Sequence, residues 1–347
     1  MKRLWFVGLA LAFGAGAAMA QQKEVTIAYQ DMLDPYRVSQ EAKDLEKATG
    51  YKINWKQFGG GGEVIKAMAS GAVQIGEVGS AGIAAAVSRG EPFELFWILD
   101  DIGDAEALVA KNGSGINSVK DLKGKKIAMP FNSTTHFHTI VALEQAGIDP
   151  KDVQILNMRP PEVRAAWQRG DIQATWIWDP VLSEVKKDGK VILTSGKLSA
   201  ETGKATFDGY IVNKDWAKQH HDFMVKFVKV LAAADEKYRS NQAKWTADSP
   251  EVKAVAKWSG AKPEDVPAGM ALYRFPTLAE QNGKWLGGGK NSIAAKALEA
   301  TAKFQLSQKQ IEKTLPDYSA VVTDQYVKDA MKYRSGLVAR ASRSGRR

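Results

Sequence analysis

Four consecutive residues, Ser133 to His136, place three hydroxyl groups and an imidazole at the predicted start of a helix. The apolar run Ile127–Met129 predicts a buried strand that ends at Pro130, and helical spacing of apolar residues follows from Phe137. A helix N-terminus carries unsatisfied N–H groups and a partial positive charge, which suits a sulfonate, phosphate, sulfate or carboxylate group. An ordinary capped turn contains the same residue types, so the turn alone leaves both interpretations open.

Four further residues have the chemistry to complete a site for a small zwitterion. Ser80 adds a hydroxyl at a second predicted strand-to-helix turn, Glu106 and Asp208 fall in predicted strands, and Trp178 ends another strand. Hydroxyls and amides suit the acid end of a zwitterion, whereas carboxylates and an indole face suit its ammonium. A surface salt bridge is the alternative interpretation for each carboxylate.

The sequence contains no motif that predicts catalysis, a metal or a cofactor. The run 59–62 lacks the third glycine of a dinucleotide-binding loop, and in the run 287–290 Lys284 stands where a phosphate loop needs its first glycine. His136 and His138 are two residues apart, so they face different sides of a helix. Because the chain has no cysteine, thiol nucleophiles, disulfides and thiolate-bound metals are excluded.

The first twenty residues have the pattern of a secretory signal peptide. Lys2 and Arg3 precede an apolar stretch over residues 4–17, and Ala18-Met19-Ala20 forms a small-x-small cleavage site. We therefore predict that residues 1–20 are removed and that the protein is exported to the periplasm.

The basic charge of the chain is concentrated at its ends. Of the net charge of +9, seven charges belong to residues near the termini: Lys2, Arg3, Arg334, Arg340, Arg343, Arg346 and Arg347. The remaining body has a charge of about +2, which does not favour a nucleic-acid partner. Residues 336–347 combine small residues with arginines and predict a disordered basic tail.

Strand-like and helix-like segments alternate in two rounds, which predicts an α/β fold with two lobes. Each round predicts a mostly parallel sheet with helices on both faces. We place the first part of lobe 1 at 21–110, lobe 2 at 111–208, and the return to lobe 1 with C-terminal helices at 209–335. Glu106–Ala110 and Phe207–Val212 are the predicted hinge strands between the lobes.

Several motifs in matching order resemble the taurine-binding proteins of bacterial ABC importers, within the taurine and aliphatic sulfonate solute-binding family. The resemblance extends from Val25 to about Lys328. It rests on these segments: Ala28-Tyr29-Gln30, Ala69-Ser70-Gly71, Val73-Gln74-Ile75-Gly76, Glu106-Ala107-Leu108-Val109, Ser133-Thr134-Thr135-His136, Pro160-Pro161, Ala165-Ala166-Trp167-Gln168-Arg169-Gly170-Asp171-Ile172 and Lys187-Asp188-Gly189-Lys190-Val191.

The resemblance implies a two-lobed type 2 periplasmic binding protein with two hinge strands and C-terminal helices packed on lobe 1. It implies a non-catalytic monomer that holds taurine between its lobes and delivers it to ABC permease subunits, which provide its only link to the membrane. No cofactor is implied. The implied ligand-binding residues are Gln30, Ser80, Glu106, Ser133, Thr134, Thr135, His136, Trp178 and Asp208.

Two other functions remain open at the level of the sequence. Three acids near the implied site, Asp31, Glu77 and Asp179, favour another ligand on the same fold: a different sulfonate, a quaternary ammonium compound or a pyrimidine. Pyrimidine-synthesising enzymes share the broad superfamily, but the sequence offers no pair of nucleophile and base.

Overall fold

The computed structural model describes residues 23–332. The predicted signal peptide, 1–20, and the predicted basic tail, 336–347, lie outside the described residues. Within the described part, no helix is both long enough and apolar enough to cross a membrane.

Ten strands form the two sheets of the described chain. They are β1 (Glu24–Tyr29), β2 (Lys52–Gln57), β3 (Ile75–Gly79), β4 (Phe93–Asp101), β5 (Glu106–Lys111), β6 (Lys126–Met129), β7 (Gln154–Asn157), β8 (Ala174–Trp178), β9 (Gly189–Thr194) and β10 (Phe207–Asn213).

Helices connect the strands and then dominate the chain after β10. They are α1 (Arg37–Ala42), α2 (Asp44–Thr49), α3 (Gly61–Ala69), α4 (Ser80–Ser88), α5 (Thr134–Gln145), α6 (Pro160–Arg169), α7 (Val181–Val185), α8 (Ser195–Thr202), α9 (Lys214–Gln219), α10 (His221–Arg239), α11 (Pro250–Ser259), α12 (Val266–Met270), α13 (Leu278–Glu280) and α14 (Ile293–Ser307). A last helix covers 325–332.

The two sheets have the same design, which confirms the predicted two-lobed α/β fold. The first has the strand order β2-β1-β3-β10-β4, and the second has the order β7-β6-β8-β5-β9. In the first sheet only β10 is antiparallel to its neighbours, and in the second only β5 is. Each sheet is therefore mostly parallel, as predicted, with one antiparallel strand inserted.

The chain crosses between the sheets twice, and each antiparallel strand follows a crossing. The first crossing, 102–105, leads from β4 into β5, and the second, 203–206, leads from α8 into β10. The predicted hinge strands are therefore β5, the first strand that the chain forms in the second sheet, and β10, the strand with which it returns to the first sheet. The boundaries predicted at 110 and 208 fall inside β5 and β10, because each of these strands belongs as a whole to one sheet.

The C-terminal helices pack on the first sheet, as predicted. Phe223, Phe227 and Leu231 of α10 belong to the same buried apolar cluster as Ile27 of β1 and Phe96 of β4. The rings of Phe96 and Phe227 lie 6.0 Å apart. This packing removes the apolar face of α10 from water, which stabilises the first lobe through the hydrophobic effect.

The structure differs from the sequence prediction at two helices. The spacing of Val38, Ala42 and Leu45 predicts one helix over 35–48, but the structure has two, because Lys43 adopts a left-handed conformation with φ of 54° and ends α1. Helix α8 was not predicted because its buried residues, Ser195 and Leu198, do not form an apolar stripe. Its start is nevertheless capped, since the Thr194 side chain accepts a hydrogen bond from the Lys197 N–H.

Candidate functional site

A small cavity lies between the two sheets, where strand ends and helix starts from both lobes meet. It is narrow: the centre of a water molecule can occupy only about 10 Å³ of it, although the space between its atoms, open solvent included, is about 240 Å³. Its lining consists of Gln30, Met32, Gly61, Gly79 and Asp208 from the first lobe, and Glu106, Ser133, Thr134 and Trp178 from the second. Six of the nine predicted ligand-binding residues are therefore brought together at one place.

Three helices begin at this cavity. Gly61 is the first residue of α3, Gly79 immediately precedes α4, and Ser133 immediately precedes α5. The predicted cap at Ser133 is present, since its Oγ accepts a hydrogen bond of 3.1 Å from the His136 N–H. Neither α3 nor α4 has a side-chain cap. The free N–H groups and dipoles of these three termini make one side of the cavity attractive to an anion.

Glu106 places a carboxyl group on the wall of the cavity that belongs to the second lobe. It is the first residue of β5 and is almost fully buried. Thr134 Oγ1 donates a hydrogen bond of 2.5 Å to one carboxylate oxygen, and Ser195 Oγ donates one of 3.4 Å to the other. Burial outweighs these bonds and raises the pKa of Glu106 to about 7. The group is therefore about half ionised at neutral pH.

Asp208 places a second carboxyl group on the opposite wall. It lies on β10, directly across from Gly79 of β3, and it is buried. Burial raises its pKa well above the usual range, and the nearby carboxyl of Glu106 raises it further. A cation that enters the cavity would favour the ionised form of both carboxyl groups.

Trp178 connects the two lobes at the cavity. It ends β8, and its indole N–H donates a hydrogen bond of 2.7 Å to Asp31 Oδ1 in the first lobe. Burial raises the pKa of Asp31 to about 6, although this bond opposes the shift. Trp178 lines the cavity, and its indole N–H is engaged by Asp31.

The backbone and side-chain amides of Gln30 are held by a buried ion pair behind the cavity. The Gln30 backbone N–H donates to Glu77 Oε1 at 3.1 Å, and its Nε2 donates to the Glu77 carbonyl at 3.0 Å. Arg37 lies 3.2 Å from both Glu77 carboxylate oxygens. The charge of Glu77 is thus balanced by Arg37, and Glu77 does not line the cavity.

Three predicted residues do not line the cavity. Ser80 Oγ is buried and accepts a hydrogen bond of 3.2 Å from the Phe207 N–H. The Thr135 hydroxyl is buried against that of Ser133, at 2.8 Å. The ring of His136 stacks on Phe131 at a centroid distance of 4.4 Å, and burial lowers its pKa to about 4, so it is neutral at pH 7.

Sequence reasoning missed four residues that shape the site. Met32, Gly61 and Gly79 line the cavity, and Ser195 supports Glu106 from behind. The glycines contribute backbone rather than side chains, so a search for reactive groups passes over them. Ser195 begins the unpredicted helix α8, and only the tertiary fold brings it to β5.

Comparison with known proteins gives a consistent result. The model of the NMT1/THI5-like family matches residues 42–244. The taurine-binding periplasmic protein of Escherichia coli is 37% identical over 318 residues, which cover 92% of this chain and 96% of that protein.

Solved structures with similar folds are more distant in sequence. The alkanesulfonate-binding protein of Xanthomonas axonopodis pv. citri, bound to MOPS, has a TM-score of 0.70 and 23% identity, with 87% of this chain and 97% of that chain covered. The periplasmic aliphatic sulphonate binding protein of Escherichia coli has a TM-score of 0.67 and 21% identity, with coverage of 88% and 99%. A desulfurization enzyme also matches, with a TM-score of 0.62 and 13% identity over 90% of this chain and all of that chain.

Proposed function

The chain belongs to the NMT1/THI5-like family of periplasmic binding proteins, and from this premise we propose that it captures taurine between its lobes for delivery to an ABC permease. One observation carries the choice of ligand. The cavity has three helix N-termini on one side and two buried carboxyl groups within reach, so it offers an anion site and a cation site in one small space.

The sulfonate end of taurine fits the helix starts. A sulfonate has three acceptor oxygens, and the α3, α4 and α5 termini supply N–H donors to them. Ser80, Thr135 and His136 act on this end indirectly, by fixing the backbone around the termini. These hydrogen bonds to a charged group contribute about 1.5–3 kcal/mol each in a water-poor site.

The ammonium end of taurine fits the carboxyl groups. Glu106 and Asp208 approach the cavity from opposite lobes, and the Trp178 ring adds a surface that attracts a cation. Gln30 contributes a polar edge beside them. Because the ligand contacts both lobes, its binding energy favours the closed arrangement over an open one.

The close contact between the lobes depends on backbone without side chains. A Cβ added at Gly79 would lie 2.8 Å from Thr134 Cγ2, and one added at Gly60 would lie 3.2 Å from Pro130 Cβ. Real Cβ atoms essentially never approach another atom as closely as 2.8 Å. Glycine at these positions therefore allows the lobes to come together around a small ligand.

Calorimetric titration of the purified protein tests the proposal, with taurine, ethanesulfonate and β-alanine as ligands. We expect micromolar binding of taurine, about −8 kcal/mol, and much weaker binding of the other two. Ethanesulfonate lacks the ammonium, and β-alanine replaces the sulfonate with a planar carboxylate. Tight binding of ethanesulfonate without taurine binding would remove the proposed role of Glu106 and Asp208. No binding by any of the three would overturn taurine as the ligand.

A second candidate function is the binding of another sulfonate on the same site. The structural neighbours that are named as sulfonate-binding proteins favour it, including the one bound to MOPS. The three acids that suggested a different ligand do not support a more cationic one, because none of them lines the cavity. Asp31 binds Trp178, Glu77 binds Arg37, and Asp179 accepts a hydrogen bond from the Ser183 N–H. Direct competition between taurine and longer alkanesulfonates separates the two candidates.

The remaining parts of the proposal are location and the absence of catalysis. We place the working protein in the periplasm, as a monomer, after removal of residues 1–20, with lobe 1 formed by 21–110 and 209–335 and lobe 2 formed by 111–208. Of the hydroxyls that line the cavity, Ser133 contacts a carbonyl and the Thr135 hydroxyl, and Thr134 donates to Glu106, the carboxyl that we assign to the ligand ammonium. Recovery of unchanged taurine after prolonged incubation tests this point, and its consumption would indicate an enzyme.

A further inference from the structure

Two buried aspartates are neighbours in the first sheet, one at the wall of the cavity and the other behind it. Asp100 of β4 and Asp208 of β10 are paired across the antiparallel strands of the first sheet. Cross-strand partners of this kind have their Cβ atoms about 4.5–5.5 Å apart and share one face of the sheet. Asp208 lines the cavity, whereas Asp100 is completely buried and does not.

Asp100 has no ordinary hydrogen-bond donor. Both of its carboxyl oxygens are buried without a donor among the described residues. The carboxyl of Asp208 is its neighbour across the paired strands, and the carboxyl of Asp34 also interacts with it. Two ionised carboxylates cannot form a hydrogen bond with each other, so contact between carboxyl groups requires a proton on one of them.

The surroundings supply negative charge and no counterion to this pair. Neither aspartate forms an ion pair within the described chain, since Arg37 is engaged by Glu77 and Asp34, and Arg274 by Asp101 and Glu280. The titratable groups that face the pair from neighbouring elements are Asp34, Glu77, Asp101, Glu106 and Tyr273. None of these groups carries a positive charge.

A buried carboxylate without a cation or a donor is costly, and two such groups in contact cannot both ionise. Sharing one proton resolves this conflict, and the proton then belongs to the pair rather than to one residue. The raised pKa of both groups agrees with this arrangement.

We propose that Asp100 and Asp208 share one proton in the ligand-free protein and release it when the cationic end of a ligand reaches Asp208. This inference rests on the proposed binding of an ammonium-bearing ligand at Asp208. The O–H bond of the shared proton breaks, the proton passes to water, and the ligand cation takes its place beside the carboxylate. Asp100 is thus a positioning residue that keeps the cavity neutral until a cation arrives.

The shared proton makes the site selective for cationic ligands in a way that depends on pH. Protons compete with the ligand for the aspartate pair, so the affinity for taurine rises with pH until the amine of the ligand itself loses its proton. A ligand without a cationic group cannot displace the proton and gains nothing from Asp208. Ethanesulfonate should therefore bind without releasing a proton from the pair.

Titration calorimetry with taurine in two buffers of different ionisation enthalpy counts the protons released. The measurement is made near pH 8, where Glu106, with its pKa of about 7, is about 90% ionised and contributes little. We expect the wild-type protein to release roughly one proton per bound taurine. Taurine binding without proton release would overturn the proposal while leaving the proposed function intact, whereas the absence of taurine binding would overturn both.

Asp100→Asn is the decisive variant. Its amide can donate to Asp208, so Asp208 stays ionised without a shared proton. We expect proton release to fall close to zero, with affinity for taurine kept within about fivefold of wild type. Unchanged proton release in a folded variant would overturn the role of the pair, and if the variant does not fold, the wild-type count still decides.

Glu94→Gln is the matched control. Glu94 lies on the same strand as Asp100, and burial raises its pKa, but it accepts a hydrogen bond from Tyr326 and is absent from the cavity lining. We expect wild-type proton release and affinity from this variant. Reduced proton release from Glu94→Gln would show that the signal does not come from the aspartate pair, and would overturn the proposal.

Discussion

Replacing Glu106 with glutamine should weaken the binding of taurine and stabilise the ligand-free protein. Glutamine has nearly the same shape: its side-chain oxygen can accept the hydrogen bond from one of the Thr134 and Ser195 hydroxyls, and its NH2 group can donate to the other hydroxyl. The substitution therefore removes the charge and keeps the local packing. Taurine affinity and folding stability should change in opposite directions, because the buried charge of Glu106 strengthens ligand binding and lowers the stability of the ligand-free protein.

The loss of affinity follows from the hydrogen bond between ammonium and carboxylate. Such a bond contributes about 1.5–3 kcal/mol, and ionising Glu106 at pH 7 costs only about 0.4 kcal/mol because its pKa is about 7. A net loss of about 2 kcal/mol corresponds to an increase in Kd of roughly 30-fold. In the wild type, affinity should also fall as pH drops below 7 and Glu106 becomes protonated. This part of the pH dependence should be absent in Glu106→Gln.

The gain in stability follows from the raised pKa of Glu106. The folded protein holds a proton on this group up to about pH 7, whereas the unfolded chain loses it near its ordinary value of 4.5. Folding stability is therefore lost as pH rises between these two values, by roughly 3 kcal/mol in total. Glu106→Gln does not incur this loss, so its free energy of unfolding near pH 8 should exceed that of the wild type.

Two measurements check this prediction: calorimetric titration with taurine at three pH values between about 6 and 8, and urea unfolding of the ligand-free protein. Glu94→Gln provides the control for removing a buried carboxylate elsewhere, and we expect it to leave affinity unchanged. Wild-type affinity and wild-type pH dependence in Glu106→Gln would refute the assignment of Glu106 to the cation. A lower stability near pH 8 would refute the argument from its pKa.

Three further substitutions test other parts of the site. Thr134→Val removes the hydroxyl that stabilises ionised Glu106, so the pH at which half of the taurine affinity is lost should rise. Titrations with taurine across pH measure this midpoint, and an unchanged midpoint would contradict the role of the hydrogen bond. Gly79→Ala places a Cβ where the lobes meet and should weaken taurine binding at least tenfold. Gly283→Ala is its control, because a Cβ there meets no atom within 4 Å, and this variant should bind taurine as the wild type does. Equal taurine affinities of the two variants would refute the packing argument. Trp178→Phe keeps a ring but removes the hydrogen bond to Asp31 between the lobes. Taurine should therefore dissociate faster in stopped-flow measurements. A wild-type dissociation rate would show that this bond does not stabilise the closed form.

The parts of the fold that depend on local pattern were predictable from the sequence. The apolar run that became β6 is short and ends at Pro130, and the cap at Ser133 follows from its position before a helical pattern. The clustering of the candidate residues was predictable only because strand ends at one edge of a sheet converge.

The parts that depend on tertiary contacts were not predictable. No local pattern in the sequence marks Asp100, and only the register of β4 with β10 places it beside Asp208. Gly61 and Gly79 contribute backbone N–H groups and let the two lobes approach closely, and neither contribution can be predicted from the residue type. Glu77 looked like an unfavourable acid beside an anion site, because its partner Arg37 lies 40 residues away in the sequence.

The position of the two carboxyl groups relative to the crossings decides the order in which a ligand would be engaged. Glu106 begins β5 directly after the first crossing, and Asp208 is the second residue of β10 after the other crossing. Atoms near the axis of a rotation move little, so opening the lobes about these crossings would leave the carboxyl groups nearly in place, together with Thr134 at the start of α5, which is hydrogen-bonded to Glu106. A ligand would thus dock first by its cationic end, near the crossings, and the parts of the two lobes farther from the crossings would close around it last.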